Sequence, residues 1–211
     1  MASDGFSLEV VAAEFRKTKT IENEILLEPY IKGYEELTRV FEHLGMVFSF
    51  ITSDLKEKIR ILNEHRKATP EHFKSVQTMV RFELDNNLTT IKNSAGLLSG
   101  SRTLLRLHRA LLFISSFLKK LIESNEGDSV PKMASKVYAD TIANYHTWLI
   151  RNTAYVAMRT LPNKKTLQAR LCTSSSEKTS EEVVGDCVKE MNLVYDVVQA
   201  FYKEHNILDL P

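Results

Sequence analysis

Charged side chains lie on helical stripes that are otherwise apolar, and this pattern constrains the chain more than any other feature. In the segment GMVFSFITSDLKEKIRIL, apolar residues recur at the spacing of one helix face. Asp54 and Lys58 fall on that same face, four residues apart. The apolar members of the stripe are Val47, Ile51, Ile61 and Leu62. Because burial of a charge is costly unless it meets a partner, the stripe indicates either a salt bridge or a ligand site.

A second stripe carries arginines. Arg102, Arg106 and Arg109 share a helix face that continues into Phe113 and Phe117. Cations at the start of a helix oppose its dipole, so they do not stabilise the helix. Unpaired N–H groups at the helix start and guanidinium groups one turn apart suit an anion. The two stripes together predict a pocket for a ligand with an anionic head and an apolar body.

Both stripes also have a plain structural interpretation. Asp54 and Lys58 are spaced for an i,i+4 salt bridge on a solvated face, which contributes about 0.3–0.5 kcal/mol. The structural alternative for the arginines is that they form salt bridges with acidic residues of neighbouring helices. The residues alone leave the two interpretations of the arginine face evenly balanced.

Helical periodicity predicts an all-α protein, in which residues 1–211 form a single domain of seven or eight helices. Gly45 is expected to mark close packing or a bend inside a long helix. Thr69 and Pro70 are expected to cap and begin the next one. No alternating strand pattern competes. The expected helices cover Phe6–Phe15, about Pro29–His65, Phe73–Ile91, residues 102–124, residues 132–161, a short segment at Leu167–Leu171, and Val183–Glu204.

The composition and the motifs argue against several classes of function. A formal net charge of +1 gives no global field to attract nucleic acid. No sequence pattern for a metal, nucleotide or nucleophile site occurs, so we expect no enzyme activity, no cofactor and no metal. The two cysteines, Cys172 and Cys187, do not make a disulfide framework. The absence of a signal peptide pattern and of a membrane-spanning run favours a cytoplasmic location.

The segment DTIANYHTWLIR holds two further candidates. His146 shares a stripe with Ala139, Ile142 and Leu149, which predicts that it points inward. A lone inward histidine is more often a satisfied core residue than a ligand contact. Trp148 faces another way and suits a membrane interface, although the residues alone favour simple packing.

Several segments in order along the chain resemble the glycolipid transfer protein superfamily. They are ILLEPYI, FEHLGMVFSFITSDLKEKIRI, RTLLRLHRALLF, YHTWLIR, TLP and the terminal HNILDLP. The resemblance covers nearly the whole chain. It implies a two-layer sandwich of about eight helices that encloses a hydrophobic lipid pocket.

The resemblance also implies a role for each candidate residue. Asp54 is expected to bind the ceramide amide N–H and the sphingoid hydroxyl, and His146 the amide carbonyl. Lys58, Arg102 and Arg106 are expected to hold a phosphate. In the glycolipid-carrying branch an asparagine stands at the position of Lys58 and a tryptophan at that of Arg106. The two cations here therefore favour a phosphate head group over a sugar.

The function implied is non-enzymatic transfer of a phosphorylated sphingolipid, most of all ceramide-1-phosphate, between membranes. Trp148 is expected to dock the protein transiently on the membrane surface. We expect a cytoplasmic monomer that associates peripherally with membranes and binds no nucleic acid. One alternative is a sensor or adaptor that binds the same lipid and signals to a protein partner. A sphingolipid hydrolase is disfavoured, because no nucleophile or metal ligands are evident.

Overall fold

The fold is all-α, and the helices pack as two layers around an apolar interior. The computed structural model describes residues 6–171 and 178–211; Cys172 lies outside these ranges, and Cys187 is buried. Within them the chain forms nine α-helices and two short 3₁₀ helices, Met46–Phe48 and Ala143–Tyr145. The α-helices are α1 (Leu8–Arg16), α2 (Leu27–His43), α3 (Ser49–Ala68), α4 (Val76–Asp85), α5 (Gly100–Glu123), α6 (Val130–Thr141), α7 (Trp148–Arg159), α8 (Lys164–Leu171) and α9 (Ser180–Glu204).

Helix α5 is the central element. It packs against α3, α4, α6 and α9, while α1 packs against α2 and α9. The buried Tyr202 hydroxyl on α9 donates to the Ser101 carbonyl at 2.9 Å, and the buried Tyr34 hydroxyl on α2 donates to the Leu107 carbonyl. These bonds fix α5 against two neighbouring helices.

Glycine permits two local features of this arrangement. Gly45 has φ of +108°, a backbone conformation that residues with a side chain rarely adopt. It separates α2 from the turn before α3. The long helix expected over Pro29–His65 is therefore two helices with a bend at Gly45. At Gly100, a Cβ would lie 2.5 Å from the Met79 sulfur and 2.6 Å from Phe73 Cε1. Only glycine lets the start of α5 approach α4 this closely.

Two other expected helix boundaries were wrong. Thr69 is the C-cap of α3 and does not cap the next helix, which begins at Val76. Ser75 caps α4 instead, because its hydroxyl accepts from the Thr78 N–H and the Thr78 hydroxyl accepts from the Ser75 N–H. The helix expected over residues 132–161 is interrupted between Thr141 and Trp148. This interruption changes the position of His146.

Candidate functional site

A cavity of about 560 Å³ opens between helices α2, α3, α5, α6 and α7. This volume lies within the ordinary range of ligand pockets. Most of its wall is aliphatic or aromatic, and the residues include Leu37, Phe41, Phe48, Leu55, Phe113, Ile114, Phe117, Ile142, Ala154 and Met158. A smaller set of polar residues shares the lining: Asp54, Lys58, Arg106, Arg109, Tyr138, Tyr145 and His146. A mainly apolar wall with clustered polar groups suits an amphipathic ligand.

Asp54 and Lys58 form the i,i+4 salt bridge that their spacing allows. The two charges differ in burial: the Lys58 side chain is 11% exposed, whereas the Asp54 side chain is 64% exposed. The structure therefore contains the expected i,i+4 salt bridge, but the pair lines the cavity and is not on a fully solvated face. The carboxylate faces water at the cavity edge, and the ammonium is the buried charge.

The arginines of α5 pair with main-chain oxygens. Arg102 Nε and Arg106 Nη2 donate to the Pro211 oxygen, the latter at 3.4 Å, and Arg109 Nη2 donates to the Leu208 oxygen at 2.6 Å. Within the described ranges, none of the three makes an ion pair with a side-chain carboxylate. The alternative of pairing with acidic residues of neighbouring helices is thus not seen among residues 6–171 and 178–211.

Electrostatic effects connect these groups across the cavity. Burial lowers the pKa of Arg106, repulsion by Arg102 lowers it further, and the Asp54 carboxylate opposes both. Burial likewise lowers the pKa of Arg109, whose guanidinium lies 3.8 Å from the centre of the Tyr145 ring. Arginine stays protonated in proteins despite such shifts. Arg106 and Arg109 therefore present positive charge to the cavity, while Arg102 lies beside it and does not line it.

The N-terminus of α5 is not open to an anion. The buried Glu83 carboxylate accepts from the Gly100 N–H at 2.6 Å and from the Ser101 N–H at 2.8 Å. The Ser99 hydroxyl accepts from the Arg102 N–H at 3.1 Å. The unpaired N–H groups that were expected to suit an anion at this helix start are therefore already occupied. Because Glu83 of α4 occupies these N–H groups, the attraction of an anion is left to cationic side chains.

His146 lies in extended backbone between the second 3₁₀ helix and α7, not on a helix stripe. It is half-buried, lines the cavity, and its Nδ1 lies 2.7 Å from the Tyr138 hydroxyl. The inward direction expected for His146 is confirmed, but its basis in a continuous helix was wrong. Burial lowers the pKa of His146; the Asp54 carboxylate opposes that shift and the Lys58 ammonium adds to it.

Trp148 is the first residue of α7 and its side chain is outside the cavity lining. It is 71% exposed, so packing in the core does not account for it. Leu149 and Ile150 are also exposed, and Ile150 lines the cavity as well. Together Trp148, Leu149 and Ile150 form an exposed apolar patch next to the cavity, which we call the α7 patch.

Three cavity residues were missing from the predicted binding set. Arg109 was visible on the arginine stripe, three residues after Arg106, but was assigned no role. Tyr138 and Tyr145 carry no sequence signal, because tyrosine is common in helix cores. Among the described residues, no group of three or more histidine, cysteine, aspartate or glutamate side chains is arranged to hold a metal ion. Nor does any helix in those ranges have the length and apolar character needed to cross a bilayer.

The sequence pattern of the glycolipid transfer protein family matches residues 25–173. The chain belongs to the glycolipid transfer protein family. Within it, the ceramide-1-phosphate transfer protein of mouse (Mus musculus) is 38% identical over 210 residues, a match that covers 98% of this chain and 97% of the mouse protein. The human (Homo sapiens) protein of the same name is 36% identical over 209 residues, with the same two shares.

Solved structures of glycolipid transfer protein family members agree with this assignment. The crystal structure of the mouse ceramide-1-phosphate transfer protein in its apo form matches with a TM-score of 0.89, covering 98% of this chain and 100% of that chain at 38% identity. The human protein in complex with 12:0 ceramide-1-phosphate also matches with a TM-score of 0.89, over the same shares at 36% identity. The all-α sandwich around a lipid pocket is thus confirmed as the fold of this family member.

The anchoring of α5 by Glu83 can be tested directly. Glu83→Gln keeps the shape but turns an amide N–H₂ toward one of the two main-chain donors. We expect the free energy of unfolding to fall by about 1–3 kcal/mol, because a buried N–H loses its acceptor. Urea unfolding measures it, and Asp85→Asn on the exposed side of α4 is the matched control. Equal stability of the Glu83→Gln variant and the native protein would contradict the anchor.

Proposed function

We propose that this protein is a non-enzymatic carrier that transfers a phosphorylated sphingolipid, above all ceramide-1-phosphate, between membranes. The observation that carries the proposal is the set of cations on the wall of an apolar cavity. Arg106 and Arg109 have no side-chain carboxylate partner in the described part of the chain, and the buried Lys58 lines the same cavity. An anionic head group attached to long apolar chains matches both parts of the cavity.

In this proposal the phosphate lies against Lys58 and Arg106, with Arg102 next to them. The Pro211 oxygen now accepts from both arginines. A guanidinium has five N–H donors, so both side chains retain donors for a phosphate. Charge-assisted N–H···O bonds of this kind are roughly twice as strong as neutral ones.

The ceramide part of the ligand is assigned to the other polar groups. Asp54 accepts from the amide N–H and the sphingoid hydroxyl, which its exposed carboxylate at the cavity edge allows. His146 donates to the amide carbonyl. The hydrocarbon chains fill the apolar part of the cavity. Removal of apolar surface from water is favourable by about 25 cal/mol per Å², so a lipid leaves a membrane readily only when such a wall replaces the bilayer.

Membrane docking is assigned to the α7 patch. Trp148 supplies an amphipathic indole, and Leu149 adds apolar surface beside it. The location of the patch next to the cavity lets a lipid pass from the bilayer to the pocket with little exposure to water. We propose that the protein is a monomer, with residues 1–211 as one domain, that contacts cytoplasmic membrane surfaces transiently.

A lipid sensor or adaptor would use the same cavity. The two functions differ in turnover: a carrier moves many lipids per protein between vesicles, whereas a sensor saturates at one lipid and transfers few. A vesicle-to-vesicle assay with fluorescent ceramide-1-phosphate at substoichiometric protein separates them. Transfer of many equivalents supports the carrier. A plateau near one equivalent supports the sensor.

Arg106→Leu tests the phosphate assignment. Loss of a charge-assisted contact should weaken ceramide-1-phosphate binding roughly 10- to 150-fold and reduce transfer in parallel. Folding should be little changed, because no core group pairs with Arg106. Arg60→Leu is the matched control, since Arg60 is exposed on α3 and pairs with Glu57 outside the cavity. Native-rate transfer by a folded Arg106→Leu protein would remove the assignment.

Trp148→Ala separates docking from lipid recognition. Because the indole is exposed and does not line the cavity, the variant should bind vesicles more weakly and transfer more slowly. Its affinity for short-chain ceramide-1-phosphate in solution should stay within about twofold of native, since no pocket contact is lost. Leu193→Ala removes an exposed apolar side chain from α9 and serves as the control. The docking role is wrong if soluble-lipid affinity collapses while vesicle partitioning is unchanged.

A further inference from the structure

Tyr138 makes the hydrogen bond that holds the cavity histidine. It lies on α6, is 3% exposed, and places its hydroxyl 2.7 Å from His146 Nδ1. Its ring is held edge-on by Phe113 and Tyr155, with ring centres 5.9 and 5.3 Å away. The phenol is therefore fixed in place from two sides, and both partners of the hydrogen bond line the cavity.

The direction of this hydrogen bond follows from the donors and acceptors available. If Nδ1 carried the hydrogen and donated to the phenol oxygen, the phenolic hydrogen would have no acceptor among the described residues. An unsatisfied buried donor costs about 1–3 kcal/mol. If the phenol donates to the Nδ1 lone pair instead, both groups are satisfied. A neutral imidazole that accepts at Nδ1 carries its hydrogen on Nε2.

The surroundings of His146 favour the neutral ring. Burial disfavours its charged form and the nearby Lys58 ammonium does so too, while the Asp54 carboxylate opposes them. Burial also raises the pKa of Tyr138 to about 12, so the phenol keeps its hydrogen at neutral pH. His146 Nε2 has no partner within the described ranges, which leaves its N–H free for a ligand.

We propose that Tyr138 is a positioning residue that fixes His146 with its hydrogen on Nε2, so that the imidazole donates to the amide carbonyl of the bound sphingolipid. This inference rests on the proposed function, which supplies the carbonyl. The opposite tautomer would direct a nitrogen lone pair at the carbonyl oxygen, and the two would repel. Tyr138 thus selects the tautomer in which His146 binds an acyl amide.

The tautomer is measured without lipid. Long-range ¹H–¹⁵N correlation spectra of the native protein report which imidazole nitrogen carries hydrogen, and His146→Gln identifies the His146 signals among the six histidines. We expect His146 with hydrogen on Nε2. A native His146 with hydrogen on Nδ1 would overturn the inference, whatever the behaviour of any variant. This measurement also stands apart from the proposed function, which fails separately if the native protein binds no ceramide-1-phosphate.

The Tyr138→Phe variant tests the consequence for binding. It keeps the ring packing and removes the hydroxyl, so His146 should populate both tautomers and short-chain ceramide-1-phosphate should bind roughly two- to tenfold more weakly. Tyr155→Phe is the matched control, because it removes a hydroxyl from the ring that packs on Tyr138 without a bond to His146. It should leave both measurements unchanged. Native tautomer and native affinity in folded Tyr138→Phe would contradict the positioning role.

Discussion

Positive charge on the wall of an apolar cavity is the constraint on which the remaining features depend. Lys58 is neutralised locally by Asp54, but Arg106 and Arg109 make no ion pair with a side-chain carboxylate in the described part of the chain. The Leu208 carbonyl is a neutral peptide group, so it satisfies a donor of Arg109 without cancelling its charge. Partly buried cations of this kind are favourable when an anion joins them. The cations on this wall therefore favour an anionic ligand.

The helices hold those cations in a fixed position. Glu83 occupies the first N–H groups of α5, and the Tyr34 and Tyr202 hydroxyls fix its main chain from α2 and α9. These contacts fix α5, which carries Arg106, against its neighbouring helices. Pre-organised donors bind a phosphate better than flexible ones, because less side-chain entropy is lost on binding. The contacts that stabilise the fold thus also position the cations of the cavity wall.

Local patterns predicted the all-α class and the common face of Asp54 and Lys58, because residues three or four apart on a helix share a face. The shared pocket with Arg106 of α5 was predicted from the two charged apolar stripes and from the family resemblance. Features that depend on distant residues were not predictable. The bend at Gly45 was one of the two expectations for this glycine, but the apolar period runs through Gly45 without a break, so its positive φ and the end of α2 at His43 were not predicted. Glu83 reaches α5 from another helix, and nothing near the start of α5 reveals it. The helix is also interrupted before Trp148, so helical periodicity did not predict the contact between His146 and Tyr138.

The comparison that tests the electrostatic account most directly is head-group discrimination by the native protein. Transfer between vesicles is measured for ceramide-1-phosphate and for a glucosylceramide with the same two hydrocarbon chains, so that only the head group differs. Charge-assisted contacts to a phosphate predict that ceramide-1-phosphate moves at least about tenfold faster. Equal rates, or faster transfer of the uncharged glycolipid, would contradict the claim that the cavity cations select an anionic head group.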